Sequence, residues 1–165
     1  HSVPELPRFL MEIEVEDKHG SSDIDPESLR RWAEQALLAE GYPTNSELSI
    51  TVVTDAEMAH WNGTALGKKT PTDVLSFPLD DMQPGLTPPF HIEGPPQLLG
   101  DIVIAPDYIR RQADVFGVSF LDEVALMTTH GVLHLLGYDH ETAEEAAAME
   151  HRERIILKAQ GITRR

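Results

Sequence analysis

The sequence contains no cysteine, which excludes disulfide bonds, thiolate nucleophiles, iron–sulfur clusters and zinc sites built from cysteine. It also has no uninterrupted apolar run of about 18 residues, the length that a membrane-spanning helix needs. No basic segment followed by an apolar stretch stands near the N-terminus, so we expect no signal peptide. These absences are compatible with a cytoplasmic protein that has no membrane partner.

Basic residues are scarce: 13 Lys and Arg stand against 28 Asp and Glu, which gives a formal net charge of −15. A general nucleic-acid binder is expected to have the opposite balance. A polyanionic partner would therefore have to meet a local basic patch or a bound metal cation. The candidates for a basic patch are Lys68, Lys69, Arg110 and Arg111, although exposed Lys and Arg are most often plain solvated surface.

The length of 165 residues is typical of one domain, and we expect residues 1–165 to form it. Alternation and β-rich runs predict strands at 11–16, 48–54, 74–77 and 98–105. Capping residues, apolar spacing and terminal glycines predict helices at 25–41, 55–61, 106–117, 119–137 and 142–161. A polar loop is predicted at 62–73, and a second loop at about 80–97, which contains five prolines and two glycines.

This order of elements predicts an α+β fold in which a single mixed sheet of about four strands is flanked by about five helices. The strands on either side of the Pro-rich loop are expected to pair antiparallel.

Three of the eight histidines form a pattern, His130-Gly-Val-Leu-His134-Leu-Leu-Gly137-Tyr-Asp-His140. The first two are four residues apart on a predicted helix, so their rings lie on one face. Gly137 can end the helix in a left-handed conformation and return His140 to the same point. Three neutral imidazoles suit one Zn²⁺, or Ni²⁺ or another first-row ion, and leave a coordination position for water. The pattern therefore predicts a zincin-like metal helix with His130, His134 and His140 as catalytic metal ligands.

Two other interpretations of the histidines are less favourable. Burying three unpartnered imidazoles in a core would cost roughly a few kcal/mol each. The spacing also matches that of metzincin proteases, but Gly131 stands where their general-base Glu would be, which argues against a peptidase. Asp139 could orient a ligand histidine through a hydrogen bond or could be a turn residue, and the sequence favours neither.

Two further motifs accompany the histidines: Pro71-Thr-Asp-Val-Leu-Ser-Phe-Pro78 and Leu99-Gly-Asp-Ile-Val-Ile104. These two motifs and the segment from His130 to His140 resemble the motifs of the YbeY family of metal-dependent endoribonucleases. The three motifs follow one another in the same order as in that family. The resemblance extends from about Met11 to the last helix. One position departs from the family: Leu66 stands where many members carry an Arg thought to help catalysis.

The resemblance implies a single-strand endoribonuclease that acts in ribosomal RNA maturation at the 3′ end of the small-subunit RNA, and in ribosome quality control. It implies ribosomal RNA, the small ribosomal subunit and assembly proteins as partners, and it gives His130, His134 and His140 as the metal ligands. Two alternatives stay open. One is a ribosome assembly factor with a structural metal, and the other is a metallohydrolase of another bond.

Overall fold

The structure of the protein is a computed structural model that describes residues 11–42, 44–66, 72–79, 83–85 and 96–165. Four strands and five helices lie within these ranges, in the predicted order. They are β1 (Glu12–Asp17), α1 (Pro26–Ala39), β2 (Ser46–Val52), α2 (Asp55–Leu66), β3 (Val74–Pro78), β4 (Gln97–Ile104), α3 (Pro106–Phe116), α4 (Phe120–Leu135) and α5 (Ala143–Lys158). The predicted α+β class is therefore confirmed.

The strands form one mixed sheet in the order β1-β2-β4-β3. β1, β2 and β4 are parallel, and β3 runs antiparallel to β4, with Val74 opposite Ile104. The predicted antiparallel pairing across the Pro-rich loop is confirmed. The register of β2 and β4 shifts between Glu47 and Leu48, where β4 has one extra residue.

Helix α4 is the central helix of the fold. It contacts α1, α3 and α5 as well as strands β3 and β4, and eleven of its 16 residues are buried. A helix that is apolar on nearly every side is stable only when other elements surround it. The element that carries His130 and His134 is therefore held by packing on several sides.

Helix α4 packs tightly against the sheet at Gly131, between the two histidines. A Cβ at this position would lie 3.1 Å from Cγ2 of Ile102 and 3.2 Å from Cγ2 of Val74. The hydroxyl of Ser76 donates to the carbonyl oxygen of Gly131 at 2.9 Å. The three sequence motifs therefore meet at one point, which explains physically why they occur together.

The predicted polar loop at 62–73 is wrong in its first part, because α2 continues to Leu66. Asn62 is 4% exposed, and the Thr64 hydroxyl donates to the carbonyl of His60 at 3.1 Å. Burial and local bonding override the weak helix propensity of these polar residues. Lys68, Lys69 and most of the predicted Pro-rich loop lie outside the described residues. In the ranges that the structure describes, no helix is both long and apolar enough to cross a membrane.

Candidate metal centre

The end of α4 has the geometry that the sequence predicted. Gly137 has a φ of 100°, in the left-handed region that glycine adopts readily. Its N–H donates to the carbonyl of His134 at 3.1 Å, and that of Tyr138 donates to the carbonyl of Leu133 at 3.0 Å. This pair of bonds is a Schellman motif. It reverses the chain and brings His140 back beside the helix.

The structure brings the three predicted histidines together. Ligand nitrogens of His130, His134 and His140 all lie within 4.8 Å of one another. The ring centroids are 4.7 Å apart for His130 and His134, 5.4 Å for His130 and His140, and 5.1 Å for His134 and His140. The first two rings are half-buried and the third is exposed. One ion could therefore bind among them at a point that solvent reaches.

The protonation state of His134 suits metal binding. Burial first, and then the neighbouring His130 and His140, lower the pKa of His134 from 6.5 to about 4, against smaller opposite effects of Asp139 and Glu153. The His134 ring is therefore neutral near pH 7 and has a free nitrogen lone pair, as metal binding requires. A set of three imidazole nitrogens suits zinc or a neighbouring first-row ion. Among the described residues, no fourth side chain joins the cluster, so the donor set matches an open site.

Asp139 lies next to the cluster and organises the main chain there. Its Oδ1 accepts a hydrogen bond from the backbone N–H of His140 at 2.8 Å. Of the two roles predicted for Asp139, this bond corresponds to the turn residue.

A buried carboxylate that the sequence reasoning missed contacts the cluster. Oε2 of Glu153, on α5, lies 3.2 Å from Nδ1 of His130, and the Glu153 side chain is 1% exposed. Glu153 belongs to a buried stripe of α5 that is otherwise apolar and includes Met149, Ile156 and Leu157. The sequence signal for Glu153 was a single carboxylate at a helical position that is otherwise occupied by apolar core residues.

The turn after α4 is anchored by Tyr138. Its hydroxyl donates to Oε1 of Glu40 at 2.6 Å, and Nε of Arg152 donates to Oε2 of the same carboxylate at 2.8 Å. Burial, the hydrogen bond to Glu40 and the charge of Glu40 raise the pKa of Tyr138 to about 12. Three elements are thereby tied together next to His140: the turn, the end of α1, and α5.

Of the predicted basic patch, the structure describes Arg110 and Arg111. Arg110 and Arg111 lie on α3, where Arg110 pairs with Asp23 at 3.1 Å and Arg111 with Asp55 at 2.7 Å. Both guanidinium groups are about half exposed, at 47% and 59%, so a further anion can still reach them. Their contact with a polyanion stays a prediction.

Three convergent, accessible imidazoles held by a helix and a turn on a mixed sheet are the donor set of a catalytic metal site with an open position, an arrangement that metal-dependent hydrolases use. The family model described as "Endoribonuclease YbeY" matches residues 13–161 of the chain. The chain therefore belongs to the YbeY endoribonuclease family.

Several relatives named "Endoribonuclease YbeY" are similar to the chain over most of its length. The relative from Moorella thermoacetica is 40% identical over 93% of this chain and 100% of its own length. The one from Bacillus velezensis is 37% identical over 92% of this chain and 97% of its own. The one from Alkalilimnicola ehrlichii is 45% identical over 84% of this chain and 80% of its own.

The fold is also similar to that of a solved structure. A protein from Thermotoga maritima, known from its solution structure, superposes with a TM-score of 0.56 at 24% identity. The match covers 90% of this chain and 91% of that one.

Proposed function

We propose that this protein is a metal-dependent endoribonuclease that cleaves single-stranded RNA with His130, His134 and His140 as its metal ligands. The observation that carries the proposal is the convergence of these three imidazoles within 4.8 Å in a chain of the YbeY family. Zinc is the proposed ion, and nickel or another first-row ion fits the same donors.

The chain's own residues prepare the site. The hydrogen-bonded end of α4 and the turn at Gly137 place the three rings. The neutral ring of His134 keeps a lone pair available at pH 7. When bound there, the ion supplies a Lewis acid that offsets charge on a phosphodiester. The exposed side, at His140, leaves room for a single strand to approach.

We further propose that the substrate is ribosomal RNA, at the 3′ end of the small-subunit precursor, and that the protein takes part in ribosome quality control. The family and the three-part motif support this assignment. The small ribosomal subunit and its assembly proteins would be the partners, in the cytoplasm, where ribosomal RNA is found. Lys68, Lys69, Arg110 and Arg111 are the proposed RNA contacts of an otherwise acidic protein.

Two features of the site favour this function over the alternatives. A structural metal would have four protein ligands, whereas the described residues bring three candidates together. A peptidase of the metzincin kind needs a carboxylate after the first histidine, whereas Gly131 faces Ile102 and Val74 of the sheet.

The test is cleavage of single-stranded RNA by the purified protein, with the metal content measured on the same sample. His134→Ala removes one proposed ligand, and His151→Ala is the matched control because His151 is an exposed histidine on α5. We expect near-stoichiometric metal and cleavage in the wild type and in His151→Ala, and loss of both in His134→Ala.

Equal cleavage by all three proteins would indicate a contaminating nuclease and contradict the proposal. Stoichiometric metal without cleavage of any RNA would instead support the assembly-factor alternative. Chelator-sensitive cleavage of a peptide or amide would support the second alternative, a metallohydrolase that acts on another bond.

A further inference from the structure

Glu153 is a buried acid whose two carboxylate oxygens point in different directions. Oε2 lies 3.2 Å from Nδ1 of His130, and Oε1 accepts from Nε of Arg164 at 3.3 Å. With the Glu153 side chain only 1% exposed, bulk water does not solvate the carboxylate. A carboxylate in such a place is strongly destabilising unless it is paired, so both contacts are needed to keep it there.

The contact with His130 determines which ring nitrogen can bind a metal. A neutral imidazole carries one proton, and an acceptor carboxylate at Nδ1 favours the tautomer with the proton on Nδ1. The free lone pair is then on Nε2. Carboxylates that accept from the second nitrogen of a metal-bound histidine fix the ring orientation and raise the basicity of the ligand.

Arg164 holds Glu153 from the side opposite His130. Gly161 has a φ of 78°, and the chain turns there so that the residues after α5 run back along the helix. The Arg164 side chain, 14% exposed, lies between Oε1 of Glu153 and Oε1 of Glu150, at 3.3 Å and 3.8 Å. Because it occupies the second oxygen, Arg164 leaves Glu153 little freedom to turn away from His130.

We propose that Glu153 is a positioning residue for His130, that it directs Nε2 of this histidine toward the metal, and that Arg164 acts through it. This inference rests on the proposed function for the identity of the metal ligands. It adds to that function a three-residue chain, Arg164–Glu153–His130, which couples the segment after α5 to the metal centre.

Arg165 provides the matched control. It also pairs with a buried acid, since its Nε donates to Oε1 of Glu123 at 2.8 Å and the Glu123 side chain is 1% exposed. Glu123 lies near the start of α4 and its other bonded partner is Gln112, whose Nε2 donates to Oε2 at 2.7 Å. Arg165→Gln therefore removes a comparable ion pair that does not lead to His130.

The first experiment measures the dissociation constant of Co²⁺ by competition with a chelator at fixed pH. We expect Glu153→Ala to weaken binding about 10–100-fold. Glu153→Gln keeps an acceptor for Nδ1–H and should lose less Co²⁺ affinity than Glu153→Ala. Arg164→Ala should lose an amount of Co²⁺ affinity between those of the wild type and Glu153→Ala. Arg165→Gln should bind Co²⁺ as the wild type does, even if it unfolds at a lower denaturant concentration.

The second experiment identifies the protonated ring nitrogen of His130 by ¹⁵N NMR of the metal-free protein. We expect the proton on Nδ1 in the wild type and in Arg165→Gln. In Glu153→Ala this preference should be lost. A purely structural role for Glu153 would change stability without changing the tautomer, and circular dichroism shows whether each variant is folded.

These readouts do not depend on RNA cleavage. Wild-type Co²⁺ affinity in folded Glu153→Ala, or a wild-type His130 proton on Nε2, would overturn the inference and leave the nuclease test unaffected. Weakened Co²⁺ binding with a changed tautomer would support it, even if the wild type cleaved no RNA. Equal losses of Co²⁺ affinity in Arg164→Ala and Arg165→Gln would overturn the role of Arg164.

Discussion

Gly100 of β4 lies in close contact with β3 and with the end of α4. Its φ is +142°, and a Cβ there would lie 2.3 Å from the carbonyl oxygen of Phe77 and 2.9 Å from Cδ2 of Leu135. We predict that Gly100→Ala lowers the free energy of unfolding by about 3 kcal/mol or more, because a backbone atom of the paired strand would have to move. Urea denaturation followed by circular dichroism measures the change.

The control is Gly117→Ala, at the end of α3. Gly117 also has a positive φ, +67°, but an added Cβ would meet no atom within 4 Å. The loss there should be only about 1–2 kcal/mol, the cost of a left-handed conformation for alanine. Equal losses in the two variants would show that the close contact at Gly100 has no energetic importance.

At the scale of residues, local spacing predicted the histidine cluster but not its buried partner. His130 and His134 lie on one helix and Gly137 follows directly, so their relation depends on helix geometry and one turn. Glu153 is 23 residues beyond His130 on another helix. Its contact depends on how α4 and α5 pack, which no local pattern encodes. The sequence did contain one sign of Glu153, because it is the only acid in the buried apolar stripe of α5.

At the scale of elements, capping residues made the starts of three helices predictable. The side chains of Asp25, Ser119 and Thr142 accept from backbone N–H groups at the starts of α1, α4 and α5. The end of α2 was not predictable in this way, because burial of Asn62 extends the helix. The order β1-β2-β4-β3 and the register shift in β2 and β4 also depend on packing between distant segments.

The anchor of the turn after α4 predicts a dependence of stability on pH. The pKa of Tyr138 rises from its ordinary 10.0 to about 12 in the folded protein, so the unfolded chain loses this proton first as the pH rises. The contribution of Tyr138 to stability should be complete below pH 10 and should disappear between pH 10 and 12. Unfolding of the wild type and of Tyr138→Phe at each pH measures it.

The free energies of unfolding of the wild type and of Tyr138→Phe should differ by a constant amount below pH 10. This difference should shrink toward pH 12. Glu40→Gln is the control, because it removes the carboxylate that accepts from the Tyr138 hydroxyl. In that background the pH range of the loss should narrow, since the negative charge of Glu40 no longer raises the pKa of Tyr138. A wild-type difference that stays constant up to pH 12 would contradict the prediction.

At the scale of the whole molecule, the metal centre should be linked to global stability. Its proposed ligands come from α4 and from the turn that leads into α5, and unfolding separates them. An ion at a concentration 100 times its dissociation constant should raise the free energy of unfolding by about 2.7 kcal/mol. Thermal unfolding with Zn²⁺ and after chelation measures the difference.

The corresponding control is His134→Ala, which should unfold at the same temperature with and without Zn²⁺. A zinc-dependent shift of equal size in this variant would place the stabilising ion elsewhere on the acidic surface. Comparison at constant ionic strength matters because the chain carries a formal net charge of −15 and added salt screens its self-repulsion.

The contact between α4 and the sheet at Gly131 limits which side chains can be introduced next to His130. The direction that a side chain at position 131 would take is occupied by methyl groups of Ile102 and Val74, with the Ser76 hydroxyl 3.4 Å from the Cβ position. A Gly131→Glu substitution would restore the metzincin sequence pattern but would push its carboxylate into the sheet. To admit a side chain at position 131, Ile102 and Val74 would have to shift by a few tenths of an ångström, so the base of a metzincin protease could be placed here only at a cost in packing between α4 and the sheet.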